Sequence, residues 1–378
     1  MKVRRILAIA QKETIHVIRD WRSLLMAFSV PVFLLIIFGY ALTLDVDNVP
    51  LIIWDQSDTP ESREFISRFT GSPYFSLNPG KTDHYDEIVY AMDSGTAVMA
   101  MVIPYDFAKK IKNDHVAKVQ VIVDGSDANT ATIALGYAEA IARDYSIKIQ
   151  QAEIRKKGEL VPDNPTDILT RVWYNEEKES KHNIIPGLIG VIMMVISAIL
   201  TSLTISREWE RGTMEQLIST PVTKGEMIAG KMLPYFVIGM LDVLLIVGVG
   251  QLIFDIPMEG SFFLLMFMAA IFLVGALGLG FVISVIAKNQ LVSTQMAMVI
   301  TFLPSVLLSG FMNSIHNMPT AVQYITYLVP ARYFIYMLKA IYLKGIGLQE
   351  LLWDVLFLIV FAIFMLILSN VLFRKKLV

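Results

Sequence analysis

The chain contains no cysteine, and only 17% of its 378 residues are charged. Without cysteine there is no disulfide framework, no thiolate nucleophile and no redox clue to a compartment. Histidine is sparse as well. His16, His84, His115, His182 and His316 are scattered, with no pair at the spacing of metal ligands on a helix, so nothing calls for a metal or for a catalytic constellation. Against this scarcity, 55% of the residues are hydrophobic, too many for a soluble protein of this length. The formal charge of -2 says nothing about partners, because it averages two compartments.

The apolar residues are clustered. Six runs, at 24–44, 184–205, 235–254, 262–286, 292–311 and 351–373, are each long enough to read as a membrane helix. Lysine and arginine then orient them, since these residues resist translocation. Lys2, Arg4, Arg5, Lys12, Arg19, Arg22, Arg207, Arg211, Lys224, Lys231, Lys288, Arg374, Lys375 and Lys376 fall on one side, whereas the short loop 255–261 carries only Asp255 and Glu259. Both termini are therefore expected in the cytoplasm. The first run is too long for the core of a cleaved signal, even though Gly39 and Ala41 offer a small-residue pair near its end. Ahead of it, residues 1–22 place Val3, Leu7, Ala10, Thr14, Val17 and Trp21 on one helical stripe among basic residues, which predicts an amphipathic helix lying in the membrane surface.

Residues 45–183 have the composition of an ordinary soluble domain and are numerous enough to bury a core of their own. Strand-like runs at 49–55, 97–103 and 119–124 alternate with helical patterns at 61–69, 85–92 and 130–155. A loop at 156–167 and a last strand at 171–177 lead back to the membrane. A mixed α/β domain between the first and second spans, facing outward, is the expectation.

The polar stretch 206–234 interrupts two spans on the basic side. Thr213 with Gln216, and Thr223 with Glu226, have capping-box spacing, which predicts a short helix ending before Pro221 and a second helix running into the next span. Met214, Leu217 and Ile218 share one face of the first, a shape suited to docking in a groove of another protein. Glu208, Glu210, Arg211 and Glu215 supply its charges. The segment GEMIAGK (225–231) imitates a phosphate-binding loop, but Met232 stands where a hydroxyl should hold magnesium and no strand precedes it, so a plain helix is expected.

In 312–350, Pro319 and Pro330 divide the chain into two helical pieces too short to cross. A pair of helices dipping into the outer leaflet and returning keeps Pro330, Arg332 and Lys339 out of lipid. Asp242 falls inside the third apolar run, where a carboxylate costs about 2.5–3.5 kcal/mol. It either faces the bundle or a water-filled path, with a cationic substrate or Gln295 as partner, or stays hydrated near the interface. Gly275, Gly278 and Gly280, with Ala276, predict close helix approach, and Pro31 and Pro304 sit inside spans.

REWERGTMEQLISTPV and GEMIAGKMLPY (207–235), the segment 308–345, WYN (173–175) and IPGLIG (185–190) together resemble the permease subunits of ABC-2 type exporters. The resemblance spans essentially the whole chain and is closest to the bacterial branch with a large extracytoplasmic domain between spans one and two. It implies an α-helical integral membrane protein of the inner membrane with six transmembrane helices, an N-terminal interfacial helix and re-entrant helices before the last span. It also implies a cytosolic ATPase partner that carries the ATP and magnesium, no cofactor in this chain, and a second permease copy or paralogue. The coupling helix maps to Glu208, Glu210, Arg211, Gly212, Thr213, Met214, Glu215, Leu217, Ile218 and Pro221, and the re-entrant region to Pro319, Pro330, Arg332 and Tyr333. Expected cargo is drug-like molecules or envelope lipids, with membrane lipids and a periplasmic adaptor as further partners and no nucleic acid. The competing expectation is a receptor or scaffold with an outer binding domain and no transport; an intramembrane enzyme is a distant third.

Overall fold

The computed structural model describes residues 2–41, 46–113, 115–156 and 180–373. The chain divides into two compact units, Leu44–Thr170 and Met1–Thr43 with Arg171–Val378. The expected features at 157–179, including the return strand and WYN, and the basic tail 374–376 lie outside the described residues.

The chain opens with helices α1 (Val3–Arg19) and α2 (Trp21–Ala41). The unit that follows is a four-stranded sheet with helices on both faces. Its elements are β1 (Val49–Asp55), α3 (Pro60–Thr70), β2 (Phe75–Thr82), α4 (Tyr85–Asp93), β3 (Met99–Ile103), α5 (Phe107–Lys112), β4 (Gln120–Val123) and α6 (Ala128–Lys156). Strand order is β2-β1-β3-β4, with β1 parallel to both neighbours and β4 antiparallel to β3. Because β1 and β3 are covered on both faces, they read as unbroken apolar runs. Leu51, Ile53, Met99, Met101 and Ile103 pack on Phe65, Phe69, Phe107 and Tyr145, while Ile52, Ala100 and Val102 pack on Ile88 and Ala91.

Two elements of this unit escape the sequence pattern. Strand β2 carries Asn78, Pro79 and Gly80 in its middle, and its register against β1 shifts between Leu51 and Ile52. Such a bulged, proline-bearing strand is tolerated because it lies at the sheet edge. Helix α5 is six residues long, too short to show a period.

The second unit is a helical bundle. After α1 and α2 it comprises α7 (Ser180–Glu210), α8 (Met214–Ser219), α9 (Lys224–Phe254), α10 (Phe262–Ala287), α11 (Gln290–Leu307), α12 (Thr320–Thr326), α13 (Pro330–Lys344) and α14 (Leu352–Leu372). Helix α7 forms its centre, with Ile184 to Met194 buried without a break and α2, α9, α10, α11 and α13 around it. Among the described residues, five helices (α7, α9, α10, α11 and α14) are long and apolar enough to cross a membrane, and α2 carries a shorter apolar stretch, Ala27–Ala41.

The small residues of α10 serve packing, but on two faces rather than one. A Cβ at Gly275 would meet the Phe361 ring at 2.7 Å and one at Gly278 would meet Met365 at 3.0 Å, both on α14. At Gly280 it would run into the Thr201 hydroxyl and the Ala198 carbonyl, on α7. Pro31 and Pro304 lie inside α2 and α11.

Candidate functional site

The connection between α7 and α9 is where the sequence concentrates polar residues, and the structure ties it down from three directions. Helix α7 continues to Glu210, so Glu208 and Glu210 are still helical. Gly212, at φ 68°, makes the turn that only glycine adopts freely. Helix α8 follows, and α9 starts with the expected reciprocal cap: the Thr223 hydroxyl accepts the Glu226 N–H at 3.4 Å and the Glu226 carboxylate accepts the Thr223 N–H at 2.9 Å. Residues 225–231 are helical throughout, so the mimic of a phosphate-binding loop forms no cradle.

Thr213 does not cap α8 as its spacing to Gln216 predicts. Its backbone is already helical (φ -80°, ψ -8°), which turns the hydroxyl away from the first-turn amides. The hydroxyl donates to the Glu208 carboxylate instead. The apolar face of α8 also needs correction at Met214 and Leu217, which are not displayed for a partner; the side chain of Ile218 lies outside the described residues. Met214 is 1% exposed and joins Ile205, Met227, Phe281 and Phe373 in a buried cluster, with Leu217 packed against it. A six-residue helix on the end of a bundle gains most by turning that side inward. Arg211, Gly212, Glu215, Gln216 and Ser219 face outward.

Beneath this helix lies a charge cluster that sequence reasoning missed. The Lys231 ammonium, on a side chain only 1% exposed, donates to Glu13 at 2.5 Å, to Glu208 at 3.2 Å and to the Thr204 carbonyl at 3.4 Å. The same oxygen of Glu208 also receives the Lys12 ammonium at 3.0 Å. Arg5 reaches the Pro221 carbonyl at 2.6 Å and the Glu226 carboxylate at 3.6 Å, and the Lys2 backbone N–H donates to Glu226 at 2.7 Å. Helix α1 is thus bonded to α7, to the α8–α9 turn and to α9. A groove of about 480 Å³ runs between α1 and the loop, bordered by Arg5, Lys12, Arg207, Arg211, Gln216 and Leu217.

This seating divides the stripe expected on α1, with Ala10 and Val17 turned into the bundle. Ile9, Ala10, Glu13 and Val17 are buried, whereas Val3 and Leu7 of the expected stripe are exposed. Gly230 permits the close approach: a Cβ there would meet the Ile9 Cβ at 2.7 Å, so bare backbone admits Ile9. The turn of α7 before its last is also fixed from α10, where the Ser284 hydroxyl oxygen accepts the Ile205 and Ser206 N–H groups at 2.9 and 3.0 Å. Glu210 accepts the Gln290 backbone N–H at 2.9 Å, Lys288 lies 4.8 Å from the Trp209 ring centre, and Arg207 faces Asp20 at 3.7 Å.

The other sequence candidates lie elsewhere. Asp242 is 4% exposed inside α9, and among the described residues neither of its carboxylate oxygens has a hydrogen-bond partner. Gln295 is exposed on α11, so the expected pairing does not form. In the 312–350 region, Pro319 and Pro330 open α12 and α13 as short separate helices. The Arg332 guanidinium lies 4.0 Å from the Tyr327 ring centre, with Thr326 accepting a hydrogen bond from it. Tyr333 donates to the Tyr327 carbonyl at 3.0 Å and stacks on Phe357 at 3.9 Å.

A long central helix, a short turned-in helix on a polar connection, and a pair of proline-started helices before a last apolar helix form one arrangement, and the family model describing ABC-2 family transporter proteins matches it over residues 21–370. The chain belongs to the ABC-2 transporter family. Among its relatives, "Probable multidrug ABC transporter permease YbhS" of Escherichia coli is 39% identical over 361 residues, covering 95% of this chain and 94% of the relative. "Probable multidrug ABC transporter permease YbhR" of the same organism is 29% identical over 353 residues, 93% and 92% of the two chains. "Linearmycin resistance permease protein LnrN" of Bacillus subtilis is 22% identical over 95% of this chain and 97% of the relative. As an ABC-2 permease the chain is a multi-pass membrane protein and a transporter component rather than an enzyme, and its family implies an ATPase subunit as partner.

Proposed function

We propose that this ABC-2 permease is the membrane-spanning part of an ATP-driven exporter, worked from the cytoplasm by a separate ATPase that docks on the outward face of α8. The observation that supports this best is the mooring of α8: a short helix at the tip of the connection, bonded into α1 and α9 through Glu208, with Arg211, Gly212, Glu215, Gln216 and Ser219 turned away from the bundle. A push on that face has a stiff path into two apolar helices.

In this reading α2, α7, α9, α10, α11 and α14 are six spans of the inner membrane. The arginine and lysine residues around α8 put that end and both termini in the cytoplasm, and the Leu44–Thr170 unit outside. Helices α12 and α13 are the re-entrant pair in the outer leaflet. Two permeases, copies or paralogues, form the complex, and ATP and magnesium reside in the ATPase. Cargo is a hydrophobic or amphipathic molecule, drug-like or an envelope lipid, consistent with the multidrug and linearmycin permease names of the relatives. Asp242 and Gln295 are candidates for its path, and the outer unit hands cargo to a periplasmic adaptor.

Affinity purification of the complex tests the docking face. Arg211→Glu combined with Glu215→Arg should leave membrane insertion intact and remove the ATPase from the purified complex. Undiminished ATPase recovery, with normal transport, would overturn this assignment. Leu217→Asp should act differently, lowering the yield of folded chain, because Leu217 packs inward.

A further inference from the structure

Lys231 is held by two carboxylates from two different elements. Glu13 belongs to α1, and its side chain is 8% exposed; Glu208 belongs to the end of α7, is 12% exposed, and also holds the Thr213 hydroxyl just ahead of α8. A buried ammonium with a single counter-ion resists losing it, because the remaining charge is left in a low-dielectric interior. Here the second carboxylate removes that obstacle. Glu208 in turn faces a second ammonium, Lys12, whose side chain is 44% exposed at the edge of the groove.

We propose that Lys231 is a fixed pivot and Glu208 an exchanging partner: Glu13 keeps the Lys231 ammonium neutralised throughout the transport cycle, while Glu208, tied to α8, leaves Lys231 and remains with Lys12 when the ATPase displaces α8. Both configurations leave each charge paired. In the first, Lys231 holds Glu13 and Glu208 together; in the second, Lys231 pairs with Glu13 inside and Lys12 with Glu208 at the rim. Helix α1 is then not a passive surface anchor. It carries one member of each pair, Lys12 and Glu13 at adjacent positions, and so provides the track along which Glu208 moves. Lys231, Glu13 and Lys12 are positioning residues, since none touches cargo or nucleotide in this account. The proposal rests on α8 being the element the ATPase moves.

The two carboxylates are predicted to fail in opposite senses. With Glu208→Gln, Thr213 keeps a hydrogen-bonding partner and Lys231 keeps Glu13, so the chain folds and the ATPase co-purifies; α8 is released from its pivot, and cargo moved per ATP hydrolysed falls about tenfold, inside the usual range for coupling between sites. With Glu13→Gln, Glu208 becomes the sole counter-ion of Lys231 and cannot leave, so ATP hydrolysis and transport fall together and their ratio is kept. Because the chain lacks cysteine, spin labels at Gln11→Cys on α1 and at Thr220→Cys, which ends α8 away from its docking face, read the movement directly in the assembled complex. The expected result is an α1–α8 distance that changes with a non-hydrolysable ATP analogue in the parent chain, is broad in both states with Glu208→Gln, and stays fixed with Glu13→Gln. Glu208→Asp should restore part of the coupling. A distance unaffected by nucleotide in a transporting parent complex, or equal loss of coupling in both variants, overturns the exchange. Failure of the parent chain to retain any ATPase refutes instead the docking reading on which it rests.

Discussion

Two regions of the helical unit hold cations by different means. Around α1, α8 and α9, Lys231 sits between Glu13 and Glu208, and Glu208 is shared with Lys12. Around α12 and α13, Arg332 lies on the Tyr327 ring and bonds Thr326, and Lys339 donates to the Gly310 carbonyl at 3.2 Å. Paired ions of opposite sign can change partners and remain neutral, which suits an element that moves. A guanidinium on an aromatic face, braced by the stack of Tyr333 on Phe357, has one good geometry and suits an element that stays put.

That contrast is most exposed to test at Lys231. Lys231→Met strands Glu13 beside an apolar chain and leaves Glu208 to Lys12 alone, and is expected to cost about 3–5 kcal/mol, seen as a loss of folded, detergent-soluble protein and a lower unfolding midpoint. Wild-type stability would mean that the cluster is held by packing alone. Next in size, Gly280→Ala sets a methyl against the Ala198 carbonyl of α7, where backbone must move, and should cost about 1–3 kcal/mol. Gly275→Ala meets only a Phe361 ring that can turn, and should cost less in the same unfolding assay. At the other region, Arg332→Lys keeps the charge but loses the planar stack on Tyr327, for about 0.5–2 kcal/mol. The unfolding midpoint of that variant should respond weakly to salt. Smallest in stability is Glu215→Lys, within about 0.5 kcal/mol at an exposed site, yet it should sharply reduce ATPase recovered with the chain.

Long-period features were legible in the residues alone. The apolar runs correspond to the long helices, Thr223 with Glu226 marks the start of α9, and the prolines at 319 and 330 mark the starts of α12 and α13. Local signals misled where tertiary packing overrode them. Thr213 has capping spacing, but Glu208 outcompetes the backbone for its hydroxyl. Met214 and Leu217 look like part of a docking face until the bundle behind them is known, and the close seating of Ile9 on Gly230 has no local signal in α1. The Glu13–Lys231 pair joins residues 218 positions apart, and no local pattern announces it. One signal was present: Glu13 interrupts the Ile9, Ala10 and Val17 stripe, and an acid on an apolar helix face asks for a buried partner.

Crosslinking from single cysteines to the ATPase tests the central claim, that the polar face of α8 is where the motor engages this permease. In the cysteine-free chain, Glu215→Cys should crosslink to the ATPase in assembled complexes and Met214→Cys, one residue away but turned inward, should not. Crosslinking through Met214→Cys alone, or labelling of Glu215→Cys by an impermeant reagent added outside intact cells, would contradict the account.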